Sequence, residues 1–259
     1  MEDDLGVAQF WGAGPEIIVL SNPLADPASW SSVLRSDLVA LGYQVTTFVH
    51  RPEQSDWRAA VACVDAFIAR RREPVALVGW SQGAAIAQEA ALMAGERVRC
   101  AALLATYGRQ NELDRVLQEA WMRLGDPDED LEDPRLALAL LTAFPPDRLA
   151  DDDFVSRMKE AQADWAGVPD PAARHRAATF ISTYQDRLPH LAKLMVPCLV
   201  IGFELDVDTC AARSREVAQV LPNAEHIEMP GLAHAAPITD GRRVWPLVVS
   251  FLQKHHPPS

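Results

Sequence analysis

Residues 75–83 read Val75-Ala76-Leu77-Val78-Gly79-Trp80-Ser81-Gln82-Gly83, and the fold of the chain turns on how this stretch is taken. As a bare string, the G-x-S-x-G pentapeptide from Gly79 to Gly83 is weak, because a chain of this length matches it by chance. Its flanks make it specific. Val75 to Trp80, entered after Pro74, is a short apolar run of the kind that forms a buried strand, and Gln82 to Ala94 reads as a helix. A serine on such a strand-to-helix turn is held in strained geometry with its hydroxyl presented for reaction. Glycines flank it where neighbouring segments pass too close for a β-carbon. The helix N-terminus supplies positive potential, and the Gln82 N–H is placed to meet a developing oxyanion.

Outward from this turn, short β-rich runs alternate with amphipathic stretches. Toward the N-terminus, Ile17 to Leu20 reads as a strand, Trp30 to Leu41 as a helix, Tyr43 to Val49 as a strand, and Trp57, Val61, Val64 and Ile68 recur at helical spacing. Val98 to Ala105 follows as another strand. Residues 107–190 break the alternation: Leu113 to Leu124, Pro134 to Ala143, Asp151 to Trp165 and Pro171 to Tyr184 all read as helices. Alternation resumes with strand Val196 to Phe203, helix Ala211 to Leu221, apolar strand Ala224 to Met229 and closing helix Val244 to Lys254. The expected fold is therefore α/β, a mostly parallel doubly wound sheet, with core segments 1–106 and 191–259 and an inserted all-helical cap at 107–190.

Serine is a poor nucleophile near neutral pH without a base beside it. Two later strand ends supply partners. The run Ile201-Gly202-Phe203-Glu204-Leu205-Asp206 ends a strand in carboxylates, and Gly231-Leu232-Ala233-His234 follows the last strand with a histidine. Parallel strands bring their C-terminal ends to one sheet edge, so Ser81, Asp206 and His234 can converge there. Glu204 and Asp208 share the loop with Asp206, and Asp208 is the reserve choice. His226 and His50 fall in or beside strands and read as structural or solvent-facing; His255 and His256 fall in a polar tail expected to be disordered.

In the order Ser, Asp, His, on this pattern of elements, the sequence resembles the α/β-hydrolase family over nearly its whole length. It is similar to the branch of 3-oxoadipate enol-lactone hydrolases and small esterases, through Leu20-Ser21-Asn22-Pro23-Leu24, the Trp11-Gly12-Ala13-Gly14-Pro15 turn and the helical insertion. The resemblance implies Ser81 as nucleophile, His234 as general base and Asp206 orienting it. It also implies an oxyanion hole from Gln82 and the loop after the first buried strand. There the family's donor position falls on Pro23, which has no N–H, so Leu24 N–H or the Ser21 hydroxyl would have to replace it. Arg51-Pro52, Ala84 and the Leu232-Ala233 pair before His234 are further departures, none of which removes a triad member.

Composition narrows the substrate. The chain has 259 residues, 49% hydrophobic and 23% charged, with 24 basic against 36 acidic side chains and a net charge of −12. The segment 107–190 holds 10 of the basic and 17 of the acidic residues, with the run Asp126 to Asp133 read as a solvated helix entrance. Such a balance disfavours nucleic acid and anionic membranes, whose binding rests on clustered cations. The acidic Met1-Glu2-Asp3-Asp4 start and the absence of a run of about 20 apolar residues point to a cytoplasmic protein without a membrane span. Cys63, Cys100, Cys198 and Cys210 read as buried apolar residues, and no nucleotide, metal or flavin motif is present, so no cofactor is expected. Trp80, Tyr107, Trp121, Phe144, Trp165 and Tyr184 are candidate pocket residues for a small-molecule apolar substrate, although Met122, Met158 and Phe180 are also available and a helical cap buries many such residues simply to pack. The expected activity is ester, lactone or thioester hydrolysis by a monomer or homodimer. The alternative is a lyase of a natural-product pathway that uses His234 and Asp206 as acid and base.

Overall fold

Strand β4 (Val75–Trp80) is buried along its whole length because it occupies the middle of a seven-stranded sheet. The computed structural model describes residues 5–21, 27–50, 56–124, 132–165, 180 and 182–258. The other strands are β1 (Gly6–Gly12), β2 (Glu16–Leu20), β3 (Gln44–His50), β5 (Val98–Leu104), β6 (Cys198–Phe203) and β7 (Ala224–Met229), in spatial order β1-β3-β2-β4-β5-β6-β7. Strands β2 to β7 pair in parallel, and β1 lies antiparallel on β3 with Gly6 opposite His50 and Gly12 opposite Gln44.

Parallel strands require crossovers, and the apolar residues sort onto the two faces accordingly. Helices Trp57–Ala69, Gln82–Ala94 and Ala211–Val220 cover one face, where Phe67, Ile86 and Val217 join Leu77, Leu103 and Val200. Helices Ser32–Ala40 and Gly241–His255 cover the other, where Leu34, Leu38, Trp245 and Phe251 meet Ile17, Val19, Val78 and Leu104. The helices after β2 and β4 thus lie on opposite faces although the two strands are neighbours. In open α/β sheets the region beyond such strand ends is where ligands bind.

Between β5 and β6 the described residues form helices Glu112–Arg123, Glu132–Ala143, Pro146–Leu149 and Asp152–Trp165, then the short Leu188–Leu191 turn that leads back to the sheet. Most of the acidic run Asp126 to Asp133 and of the expected helix Pro171 to Tyr184 lies outside the described residues. No described helix is long and apolar enough to cross a membrane.

Four expectations change. The strand β1 has no counterpart in the periodicity reading, because its burial is partial and irregular, as suits an edge strand paired on one side. The stretch Trp30 to Leu41 is split: a short helix Pro27–Trp30 stops before Ser32–Ala40. Strand β7 is not an apolar buried strand; at the opposite edge it leaves Glu225 and His226 exposed. The C-terminal tail is anchored rather than disordered. His255 ends the last helix, and His256 is buried with its Nε2 3.2 Å from the Glu16 carbonyl and its ring stacked on Tyr43 at 6.3 Å.

Candidate active site

Ser81 adopts φ 57° and ψ −126°, in a region that non-glycine residues rarely enter. Its N–H donates to the Leu104 carbonyl at 2.9 Å, and its own carbonyl accepts from Ala84 at 2.9 Å and Ala85 at 3.2 Å. These bonds tie the strained residue to the next strand and to its own helix. The flanking glycines are steric necessities. A Cβ on Gly79 would collide with the Gly83 carbonyl, and one on Gly83 would strike the Leu20 carbonyl and come within 2.8 Å of Ser21 Cα. Three backbone segments cross here with no room for side chains, so the pentapeptide is written by packing as much as by chemistry.

Asp206 stands in the turn after β6 with a side chain wholly out of solvent. Its Oδ1 accepts the backbone N–H groups of Asp208 at 2.9 Å and Thr209 at 2.7 Å, while its Oδ2 lies 2.8 Å from His234 Nδ1. Of the alternatives on this loop, Glu204 accepts the Gly231 N–H at 2.8 Å and so fastens the loop to the turn preceding His234. Asp208 lies on the far side of the imidazole, its Oδ2 3.3 Å from Nε2. His50 is buried at the end of β3, and His226 is exposed on β7.

His234 is held from three sides. Trp80 donates its indole N–H to the His234 carbonyl at 3.1 Å and tilts against the imidazole at 5.3 Å, and the Ala235 N–H donates to the Ala143 carbonyl at 2.9 Å. Burial pulls the imidazole toward the neutral form, but the carboxylates of Asp206 and Asp208 and the Asp206 hydrogen bond outweigh it, raising the pKa to about 9. No hydrogen bond joins Ser81 to His234 among the described residues.

The remaining predicted residues separate by role. Among the described residues no acceptor takes the Gln82 N–H, the first amide of its helix, which leaves it available to an oxyanion. Pro23, Leu24 and the Trp165 side chain lie outside the described residues. The Ser21 hydroxyl is buried without a partner among the described residues, and its backbone packs against Gly83. Trp80 is largely a core residue, packed on Trp30 at 5.5 Å. Tyr107 is buried edge-on to Tyr184 at 5.5 Å, and its hydroxyl has no partner among the described residues. Phe144 is half-buried, edge-on to Phe154 at 5.0 Å, and Trp121 is half-buried on helix Glu112–Arg123.

Tyr184 is committed elsewhere. Its hydroxyl donates to Glu89 Oε1 and accepts from Gln88 Nε2, both at 2.9 Å, while Arg187 holds the Glu89 carboxylate through two bonds of 2.9 Å. This buried network was absent from the sequence reading. The one available signal was the pair Gln88-Glu89 inside an otherwise apolar helix face, since buried polar groups need partners. Asp114, which caps helix Glu112–Arg123 reciprocally with Asn111 and whose pKa burial raises, was also missed.

A central parallel sheet with a strained serine at the end of its middle strand and a carboxylate-bound histidine on the same edge defines the class of α/β-hydrolase-fold enzymes. The chain belongs to the alpha/beta hydrolase family, whose model matches residues 12–246. It is 31% identical over 232 residues to the protein named "Putative non-heme bromoperoxidase BpoC" of Mycobacterium tuberculosis, covering 86% of this chain and 88% of that one. The crystal structure of BpoC superposes with a TM-score of 0.87 at 28% identity, over 98% of this chain and 97% of that one. The enol-lactonase from Burkholderia xenovorans LB400 shares the fold, with a TM-score of 0.80 at 18% identity over 95% and 96% of the two chains.

Proposed function

We propose that the protein is a serine hydrolase that cleaves an ester, lactone or thioester of a small to medium, largely apolar metabolite through an acyl-enzyme. The observation that carries this reading is the Ser81 elbow, with Gln82 N–H unclaimed beside it and the Asp206–His234 pair at 2.8 Å on the same sheet edge. Ser81 attacks the carbonyl, His234 takes the Oγ proton and later returns one to the leaving group, and Asp206 fixes the ring through Nδ1. Gln82 N–H meets the oxyanion. Selectivity is assigned to the helical segment 107–190, which touches the catalytic loop through the Ala143–Ala235 bond.

A fluorophosphonate probe tests the nucleophile: the wild-type protein is labelled at Ser81 and Ser81→Ala is not. Equal labelling of both refutes the assignment. A second reading, elimination by His234 and Asp206, is favoured by one observation, the absence of a Ser81–His234 hydrogen bond. Under it, turnover survives Ser81→Ala and ¹⁸O from labelled water does not enter the released acid.

A further inference from the structure

Resting on the serine-hydrolase reading, we propose that Asp208 is a second carboxylate on His234, a positioning residue that holds Nε2 away from Ser81 and makes serine activation depend on breaking the Asp208–His234 pair. The imidazole faces a carboxylate at each nitrogen, hydrogen-bonded at 2.8 Å to Asp206 Oδ2 through Nδ1 and in charge contact at 3.3 Å with Asp208 Oδ2 through Nε2. The two carboxylates do different work. Asp206 builds the turn, since its Oδ1 receives the backbone N–H groups of residues 208 and 209. Asp208 contributes only its backbone to that turn. Its side chain, 31% exposed at the site, has the imidazole as the cation that favours its charge.

The other charged or polar groups around the pair reinforce this. Burial raises the Asp208 pKa most, the imidazole lowers it, and Asp206 from the same loop and Asp114 from helix Glu112–Arg123 add repulsion that raises it. Tyr107 feels both Asp208 and Asp114, and burial keeps its phenol neutral. Trp80, on the remaining side, is uncharged. An imidazolium is therefore the species that balances the cluster, its Nε2 edge in charge contact with the Asp208 carboxylate at 3.3 Å. Acylation moves the Ser81 Oγ proton onto Nε2 as the Oγ–carbonyl bond forms, so Nε2 must first be bare. Its own proton must leave, to water or to Asp208, before the serine is activated.

The consequence is a rate that follows the neutral imidazole. With a pKa of about 9, the active form gains about tenfold per pH unit up to that value. The test uses Asp208→Asn and Asp208→Ala, which keep the backbone N–H that Asp206 needs. Two quantities are measured in each: the pH profile of kcat/KM for 4-nitrophenyl acetate, and the His234 titration by NMR, assigned with His234→Gln. Both midpoints should fall by at least one pH unit, and kcat/KM at pH 7 should rise about tenfold or more. An unmoved His234 midpoint in both variants overturns the proposal. So does a lowered midpoint in a protein whose Ser81 is labelled by fluorophosphonate but whose kcat/KM at pH 7 does not rise. The NMR titration needs no turnover, so a lowered midpoint in a protein never labelled at Ser81 sustains the grip on Nε2 and refutes the serine reading instead.

Discussion

Arg187→Met removes the cation from a charge that has almost no access to water. Arg187 gives two hydrogen bonds of 2.9 Å to Glu89, its guanidinium lies 4.6 Å over the Trp57 ring, and its backbone N–H donates to Gly108 at 2.7 Å. The Glu89 side chain is 3% exposed and that of Arg187 16%. Methionine keeps much of the apolar stem over Trp57 but leaves the carboxylate with the Tyr184 hydroxyl as its remaining donor among the described residues. Breaking a buried pair from one side costs about 3–5 kcal/mol, and the residual exposure of Arg187 places the loss at the lower end, about 3 kcal/mol. At about 2 °C per kcal/mol for a chain of this size, the melting temperature should fall by about 6 °C. Thermal and urea unfolding of the single variants and of Glu89→Gln/Arg187→Met measure this. The double variant, with no charge left uncompensated, should recover about 1.5 kcal/mol relative to the sum of the singles. A loss below about 1 kcal/mol in Arg187→Met, or strict additivity in the double variant, refutes the reasoning.

Ser21→Ala tests the second oxyanion donor: if the buried, unpartnered hydroxyl fills the place that Pro23 cannot, kcat for an aryl ester should fall roughly 10²–10³-fold with KM little changed, and an unaltered kcat removes Ser21 from that role. Thiol titration with Ellman's reagent should find Cys210 reactive in the native protein. Cys100 and Cys198, pushed up to about 12 by burial, should stay silent until unfolding; fast reaction of either would contradict their packing.

Much of the candidate site was legible in the sequence because its parts are local. Ser81 is announced by the apolar run before it and by two glycines within two residues of it; Asp206 and His234 each follow the strand that positions them. What stayed hidden depends on distant partners. β1 pairs on one side only, so its burial alternates too weakly to show as a period-2 pattern. His256 reads as tail because nothing near it in sequence reveals Tyr43 and the Glu16 carbonyl, 240 positions away for the latter. Asp208 was visible as a candidate, but as a substitute for Asp206 rather than as a second grip on the same ring.

The sequence by itself determined that this chain forms a doubly wound α/β sheet with a serine on its central turn, because strand and helix periods, glycine placement and strand-end residues are all encoded within a few positions. Only the tertiary structure decided which nitrogen of His234 each aspartate faces, that Tyr184 serves a buried ion pair, and that the Ser21 hydroxyl is left without a partner among the described residues. Those outcomes depend on where separate elements come to rest against one another. A shift of about an ångström between two elements, which no local pattern records, is enough to make or break a hydrogen bond.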